Sequence, residues 1–268
     1  MYRWPLLLIL AACKDAEKPT DTATSEIADL WGCQPGLNPF DRVEMTDTEM
    51  ATVKRLQWES SIPLRAQVIS DVGRDVPLES PLPEKAISED EVLILGIPYQ
   101  RDATIRVVAE TDDGTACSDP LYHEQAILDE EVPEITLSAY DPDQAEGGFT
   151  ALALITETQR FATILDEYGE VVWNHPTDLS TLARVSISQT DTALLYLAVA
   201  TRIDGEGRII RVGLDGDIHV KSRLTGVHKD FVELPDGGLA AIGWDLREFT
   251  DDEGLNRQIL GDSIVEVD

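Results

Sequence analysis

A repeat of strand, aspartate and turn in the second half of the chain restricts its fold more than any other feature. Ala162-Thr-Ile-Leu-Asp166-Glu-Tyr-Gly169-Glu-Val-Val-Trp173 has the layout of Ile210-Arg-Val-Gly-Leu-Asp215-Gly216-Asp-Ile-His-Val220, and Asp262-Ser-Ile-Val-Glu-Val-Asp268 begins it again. The three aspartates Asp166, Asp215 and Asp268 are 49 and 53 residues apart. Between them Arg184 to Tyr196, turning at Asp191, matches Asp230 to Ala241, turning at Asp236-Gly237-Gly238. Asp-Gly steps between apolar runs are hairpin turns. Two hairpins in about 50 residues make a four-stranded propeller blade. Propellers close with about 4 to 8 blades, whereas residues 135–268 hold two repeats and the start of a third. The expectation is a partial, truncated β-propeller over residues 135–268, with a small open sheet domain or one completed by a second chain as the alternatives. An open sheet series leaves a long unpaired edge, so self-association belongs among the expected partners.

Ahead of the repeat the patterning is of period two. Thr52-Val-Lys-Arg-Leu-Gln-Trp58, Leu64-Arg-Ala-Gln-Val-Ile69 and Ala103-Thr-Ile-Arg-Val-Val-Ala-Glu110 read as strands separated by Pro and Gly. Several short strands in about 90 residues predict a β-sandwich, placed at residues 37–128. The stretch Gly96-Ile97-Pro98 followed by Ile105 to Glu110 is similar to the late strands of fibronectin type III modules. Residues 127–134, acidic and containing Pro133, read as the linker. The fold class is therefore all-β.

The first thirteen residues, MYRWPLLLILAAC, carry one cation, an apolar run too short to span a bilayer, two small residues and Cys13. Leu10-Ala11-Ala12-Cys13 resembles a bacterial lipobox. The resemblance implies a signal peptide at 1–12, a lipidated Cys13 and a tether over 13–36, and several acyl chains on one residue give stable membrane attachment. An ordinary secretory signal is the alternative. Lys14 follows the cysteine in place of the aspartate that retains lipoproteins at the inner membrane, which points to the outer membrane of the cell envelope. Export places Cys33 and Cys117 in an oxidising space, as a disulfide or as two buried thiols.

Charge sets the partners apart. With 51 Asp and Glu against 21 Lys and Arg, the net charge of -30 excludes a nucleic-acid binder. The exception is local: Thr201 to Lys229 holds Arg202, Arg208, Arg211, Lys221, Arg223 and Lys229 against four acids. Such a reversal suits an anionic ligand; it equally fits a solvated strand face. No nucleophile elbow, phosphate loop, CxxC or HExxH occurs, no cofactor motif is present, and four histidines make a metal cluster a poor expectation. Asp166, Asp215 and Asp236 read as turn formers. His175, before Pro176, reads as a turn residue at a blade edge, and His123 and His219 are assigned no role.

One segment carries a sharper signal. Gly226-Val-His228-Lys229-Asp230-Phe-Val-Glu-Leu234-Pro235-Asp236-Gly237-Gly238-Leu239, with Ala162 to Trp173 and Gly261 to Asp268, resembles the bacterial arylsulfotransferase family. The resemblance implies a small sandwich followed by a propeller. It also implies a histidine that carries a sulfo group from a phenolic sulfate ester to a phenol, and His228 is the position here that matches. An imidazole suits this work as nucleophile or general base near neutral pH. Hydrogen bonding to Asp230 or to backbone is the structural role open to the same residue.

Overall fold

The computed structural model describes residues 31–139, 147–177 and 181–267, with backbone alone at 219–221. Cys13, the expected signal and tether up to Leu30, and Asp268 lie outside the described residues. Every regular element among those described is a strand, and no described helix is long and apolar enough to cross a membrane.

The first half holds β1 (Phe40–Asp47), β2 (Lys54–Leu64), β3 (Ala66–Asp71), β4 (Leu78–Glu79), β5 (Ile87–Ile94), β6 (Ala103–Thr111), β7 (Gly114–Cys117) and β8 (Leu121–His123). They form two antiparallel sheets, β1-β2-β5 and β4-β3-β6-β7, with β8 also on β6. Alternation in β2 sends Leu56 and Trp58 inward and Gln57 and Glu59 to solvent. Between the sheets these residues meet Val68, Ile97, Ile105 and Val107. Burying each such side chain contributes roughly 1.5 to 3 kcal/mol.

β7 and β8 act as two halves of one edge strand. Val108 faces Cys117 and Ile105 faces Leu121, so the register slips by one residue between them. Pro120 has no N–H to offer the ladder, and a bulge absorbs the slip: Ser118 donates its N–H to the Val107 carbonyl at 2.9 Å and accepts the Val107 N–H on Oγ at 3.0 Å.

The second half holds β9 (Thr150–Ile155), β10 (Arg160–Leu165), β11 (Val171–Thr177), β12 (Leu182–Ile187), β13 (Ala193–Ala198), β14 (Glu206–Gly213), β15 (Ile218–Thr225), β16 (Val227–Glu233), β17 (Leu239–Thr250) and β18 (Asn256–Val267). These make three successive antiparallel sheets, β9-β10-β11, β12-β13-β14-β15 and β16-β17-β18. The repeated turns fall where the sequence puts them, Asp166 between β10 and β11 and Asp215 between β14 and β15. The middle sheet is a sandwich filling. Leu194 and Tyr196 pack toward Ile164 and Trp173 of the first sheet, while Leu195 and Leu197 pack toward Phe231 and Leu239 of the third. That is why β13 is a run of six buried residues and not an alternating one.

Two groups of contacts bind the halves together. Thr52 donates to the Val172 carbonyl at 2.6 Å, the Tyr99 N–H to Val171 at 2.9 Å, and Met50 and Val53 join the core of the first two sheets. Gly216 holds φ at +100°, and a Cβ there would lie 2.7 Å from Cβ of Glu49, so only glycine admits this approach. The second group is ionic. Arg74 bonds Asp166 and Glu170, Arg101 grips Glu170 at 2.9 Å, and Arg55 reaches Asp215 at 2.9 Å. The two repeat aspartates thus close their turns and also receive arginines from the first half.

Trp31 and Cys33 pack against Ile69, Val108 and Cys117, and Cys33 and Cys117 form a disulfide with Cα atoms 5.7 Å apart. The part of the expected tether from Trp31 onward is therefore attached to the sheet. His175 lies within β11, stacked on Trp173 at 5.7 Å, and is not a turn residue. Its bulk fills the space between the first two sheets beside Tyr196.

Candidate functional site

His228 is the second residue of β16, the edge strand of the third sheet that lies against β12 of the second. A bulge follows it, because Val227 pairs with Gly243 and Phe231 with Ala241, leaving His228, Lys229 and Asp230 out of the ladder. Released from pairing, the imidazole lies flat on Trp244 of β17, with ring centroids 4.5 Å apart and planes 15° apart. Trp244 pairs with Asp262 of β18. Asp262 Oδ1 stands 3.2 Å from His228 Nε2, and Oδ2 accepts from Lys229 Nζ at 3.3 Å.

The ring's polarity follows from its neighbours. Nδ1 is 3.2 Å from the Gly226 carbonyl, which can only accept, so Nδ1 is the donor of this bond. Nε2 makes no hydrogen bond, although Asp262 Oδ1 is close to it. The side chain is 5% exposed and Nε2 is shut off from solvent, so chemistry at Nε2 requires Asp262 and its surroundings to move aside. Of the two contacts expected for a structural histidine, the one to backbone is made, at the Gly226 carbonyl, and the one to Asp230 is not. Asp230 turns instead toward Arg184 of β12, whose Nε lies 3.4 Å away.

The sequence reading missed Arg184 as a site residue, although the signal was there. Arg184 and Asp230 occupy the same position in the two copies of the inner hairpin, and equivalent positions of neighbouring inner strands meet. Both are half-exposed, so the ion pair faces solvent where β12 meets β16.

The basic segment loses its surplus on folding. Arg202 pairs with Asp204, Arg208 and Arg223 with Glu206, Arg211 with Asp191 and Glu233, and Lys229 with Asp262. Each of the five described cations besides Lys221 has an acid partner, so the segment offers little net field to an anion. Arg211 and Glu233 are the most buried of these pairs. Burial pushes the Glu233 carboxyl up, but the Gln189 N–H, the Thr190 hydroxyl, Arg211 and Ser188 outweigh it and bring the group to about 2. This cluster ties the third sheet to the second.

The remaining histidines stand apart from the site. His123 is buried beside the Lys54–Asp47 pair, where burial and Lys54 lower its pKa, and the side chain of His219 lies outside the described residues. Asp166 accepts the N–H groups of Tyr168 and Glu170, Asp215 that of Asp217, and Asp236 that of Gly238, the bonds of turn formers. Among the described residues no three His, Cys, Asp or Glu side chains converge on a metal position. A groove of about 620 Å³ lies on the sandwich between Trp31, Ile62, Leu82 and Glu110, far along the chain from His228. No protein-family profile and no curated protein matches the chain.

Proposed function

We propose that the chain is an arylsulfotransferase-like envelope lipoprotein, held by lipid at Cys13, in which a fibronectin type III-like sandwich and a partial propeller form the scaffold of a histidine-centred site. The strand orders β1-β2-β5 and β4-β3-β6-β7, and three sheets stacked through their inner strands, support that architecture. One observation carries the activity: His228 sits at the start of β16 with Nδ1 held by the Gly226 carbonyl, which leaves Nε2 as the ring atom free of a hydrogen bond.

The chemistry balances as two displacements. Nε2 attacks the sulfur of an aryl sulfate, the S–O bond to the ring breaks and a phenolate leaves. A phenol oxygen then attacks the sulfo-imidazole, the N–S bond breaks, and the phenol proton passes to the first product or to solvent. Lys229 is placed to offset charge on the sulfuryl oxygens once Asp262 releases it.

A second reading is a non-catalytic surface module that binds its ligand through the same scaffold, and the sealed Nε2 favours it. Transfer from 4-nitrophenyl sulfate to phenol decides between the two. Turnover by the purified chain that His228→Ala abolishes supports the transferase. Saturable binding of the sulfate ester without turnover supports the binding module, and neither binding nor turnover overturns both.

A further inference from the structure

The chain fixes His228 on one face and at one ring nitrogen. Trp244 covers the face with centroids 4.5 Å apart, and the Gly226 carbonyl accepts both the Trp244 N–H at 3.0 Å and Nδ1 at 3.2 Å. Nε2 remains, and the group that closes it is a side chain of β18. Asp262 places Oδ1 3.2 Å from Nε2 and Oδ2 3.3 Å from Lys229 Nζ.

As a structural contact this closure fits poorly. Nε2 is shut off from solvent and still has no hydrogen bond, and a buried polar atom left unpaired is costly in a folded chain. An aspartate that only tied β16 to β18 would need no more than Lys229. Its two oxygens divide instead between two basic side chains, one to each, as two oxygens of a bound oxyanion divide between a histidine and a lysine. Successive residues of a regular strand point to opposite faces, so His228 and Lys229 meet one carboxylate only because the bulge takes both out of the ladder.

We propose that His228 and Lys229 form a site for a tetrahedral oxyanion, free sulfate or the sulfo group of an ester, and that Asp262 occupies it as an internal competitor. The choice of sulfate rests on the transferase reading above. A ligand has to displace a tethered carboxylate, so its apparent affinity falls with the fraction of molecules in which Asp262 is turned away. A sulfo group brings negative charge and a third oxygen to that contest, whereas a neutral phenol brings neither and leaves the site shut. The donor ester therefore enters before the acceptor.

The test is calorimetric titration of the full chain with sodium sulfate at constant ionic strength. Asp262→Asn keeps the shape of the side chain and removes its charge, and it should bind sulfate about tenfold or more tightly than wild type. Adding His228→Ala should abolish the gain. Sulfate binding by neither protein, equal affinity in both, or a gain that survives His228→Ala overturns the proposal. A second readout needs no anion: carbethoxylation of His228 by diethyl pyrocarbonate, located by mass spectrometry, should be faster in Asp262→Asn, and an unchanged rate counts against the competitor. Failure here is separable from failure of transfer. Tighter sulfate binding by Asp262→Asn without turnover of 4-nitrophenyl sulfate keeps the site and removes the transferase, while turnover that His228→Ala abolishes, with equal sulfate affinity in wild type and Asp262→Asn, does the reverse.

Discussion

The first and third sheets of the second half are built from the same repeat and have opposite surroundings. On the first, Phe161 and Thr163 are wholly buried, and the linker lies alongside, with Val132 buried and Leu137 against Gly169. Arg74 and Arg101 clamp its Asp166–Glu170 turn to the sandwich. On the third, Ile264 and Val232 face solvent, and what secures the sheet is the Glu233 cluster and the aliphatic contact with Leu195 and Leu197. One unit of sequence therefore gives a rigid sheet or an open one according to what lies beside it. Stability belongs to the neighbour as much as to the repeat.

The largest way to break that contrast is Phe161→Ala, which should cost about 3 to 5 kcal/mol in urea unfolding because the site cannot collapse around the missing ring. Arg74→Ala leaves Asp166, 4% exposed at its side chain, without its cation, and a loss of about 3 kcal/mol is expected in the same measurement. A loss under about 1 kcal/mol would mean that the clamp is ornamental and the two sheets are equally free.

The third sheet has its own pH signature. The Glu233 carboxyl lies at about 2 when folded and near the ordinary 4.5 when unfolded, so the unfolded chain takes up its proton first as pH falls. Its contribution, about 3 kcal/mol in order of magnitude, is complete above about pH 5 and is lost between roughly 4.5 and 2. Unfolding of wild type and Glu233→Gln across that window should converge toward the acid end. Equal slopes would remove Glu233 as the tie. At the smallest end, Ile264→Ala should change stability by no more than about 0.5 kcal/mol, and a larger loss would mean that the third face is covered in solution.

Much of this was legible in the residues. The Asp-Gly turns and the spacing of the aspartates located β10 with β11, β14 with β15, and β16 with β17, because a turn residue acts on its own neighbours. Period-two runs found β2, β3 and β6 for the same reason. The Cys33–Cys117 pair stood among the alternatives the sequence left open. What escaped was long-range. Nothing near Arg74 in sequence announces Asp166, 92 residues away, and the pairing of Arg184 with Asp230 appears only when the copies of the repeat are set side by side in space. His175 was misread because the proline after it suggested a turn, whereas β11 is the outer strand of its sheet and tolerates a residue without an N–H. The charge of the basic segment misled in a similar way, since sequence counts cations and folding pairs them.

The disulfide gives the molecule a load path. A pull on the N-terminal side of Cys33 reaches Cys117 through a covalent bond, and the residues along the 84-residue separation between them are bypassed. Tension passes from Cys117 through β8 and the linker to the first sheet of the second half, so under traction β1 to β6 lie beside the line of force.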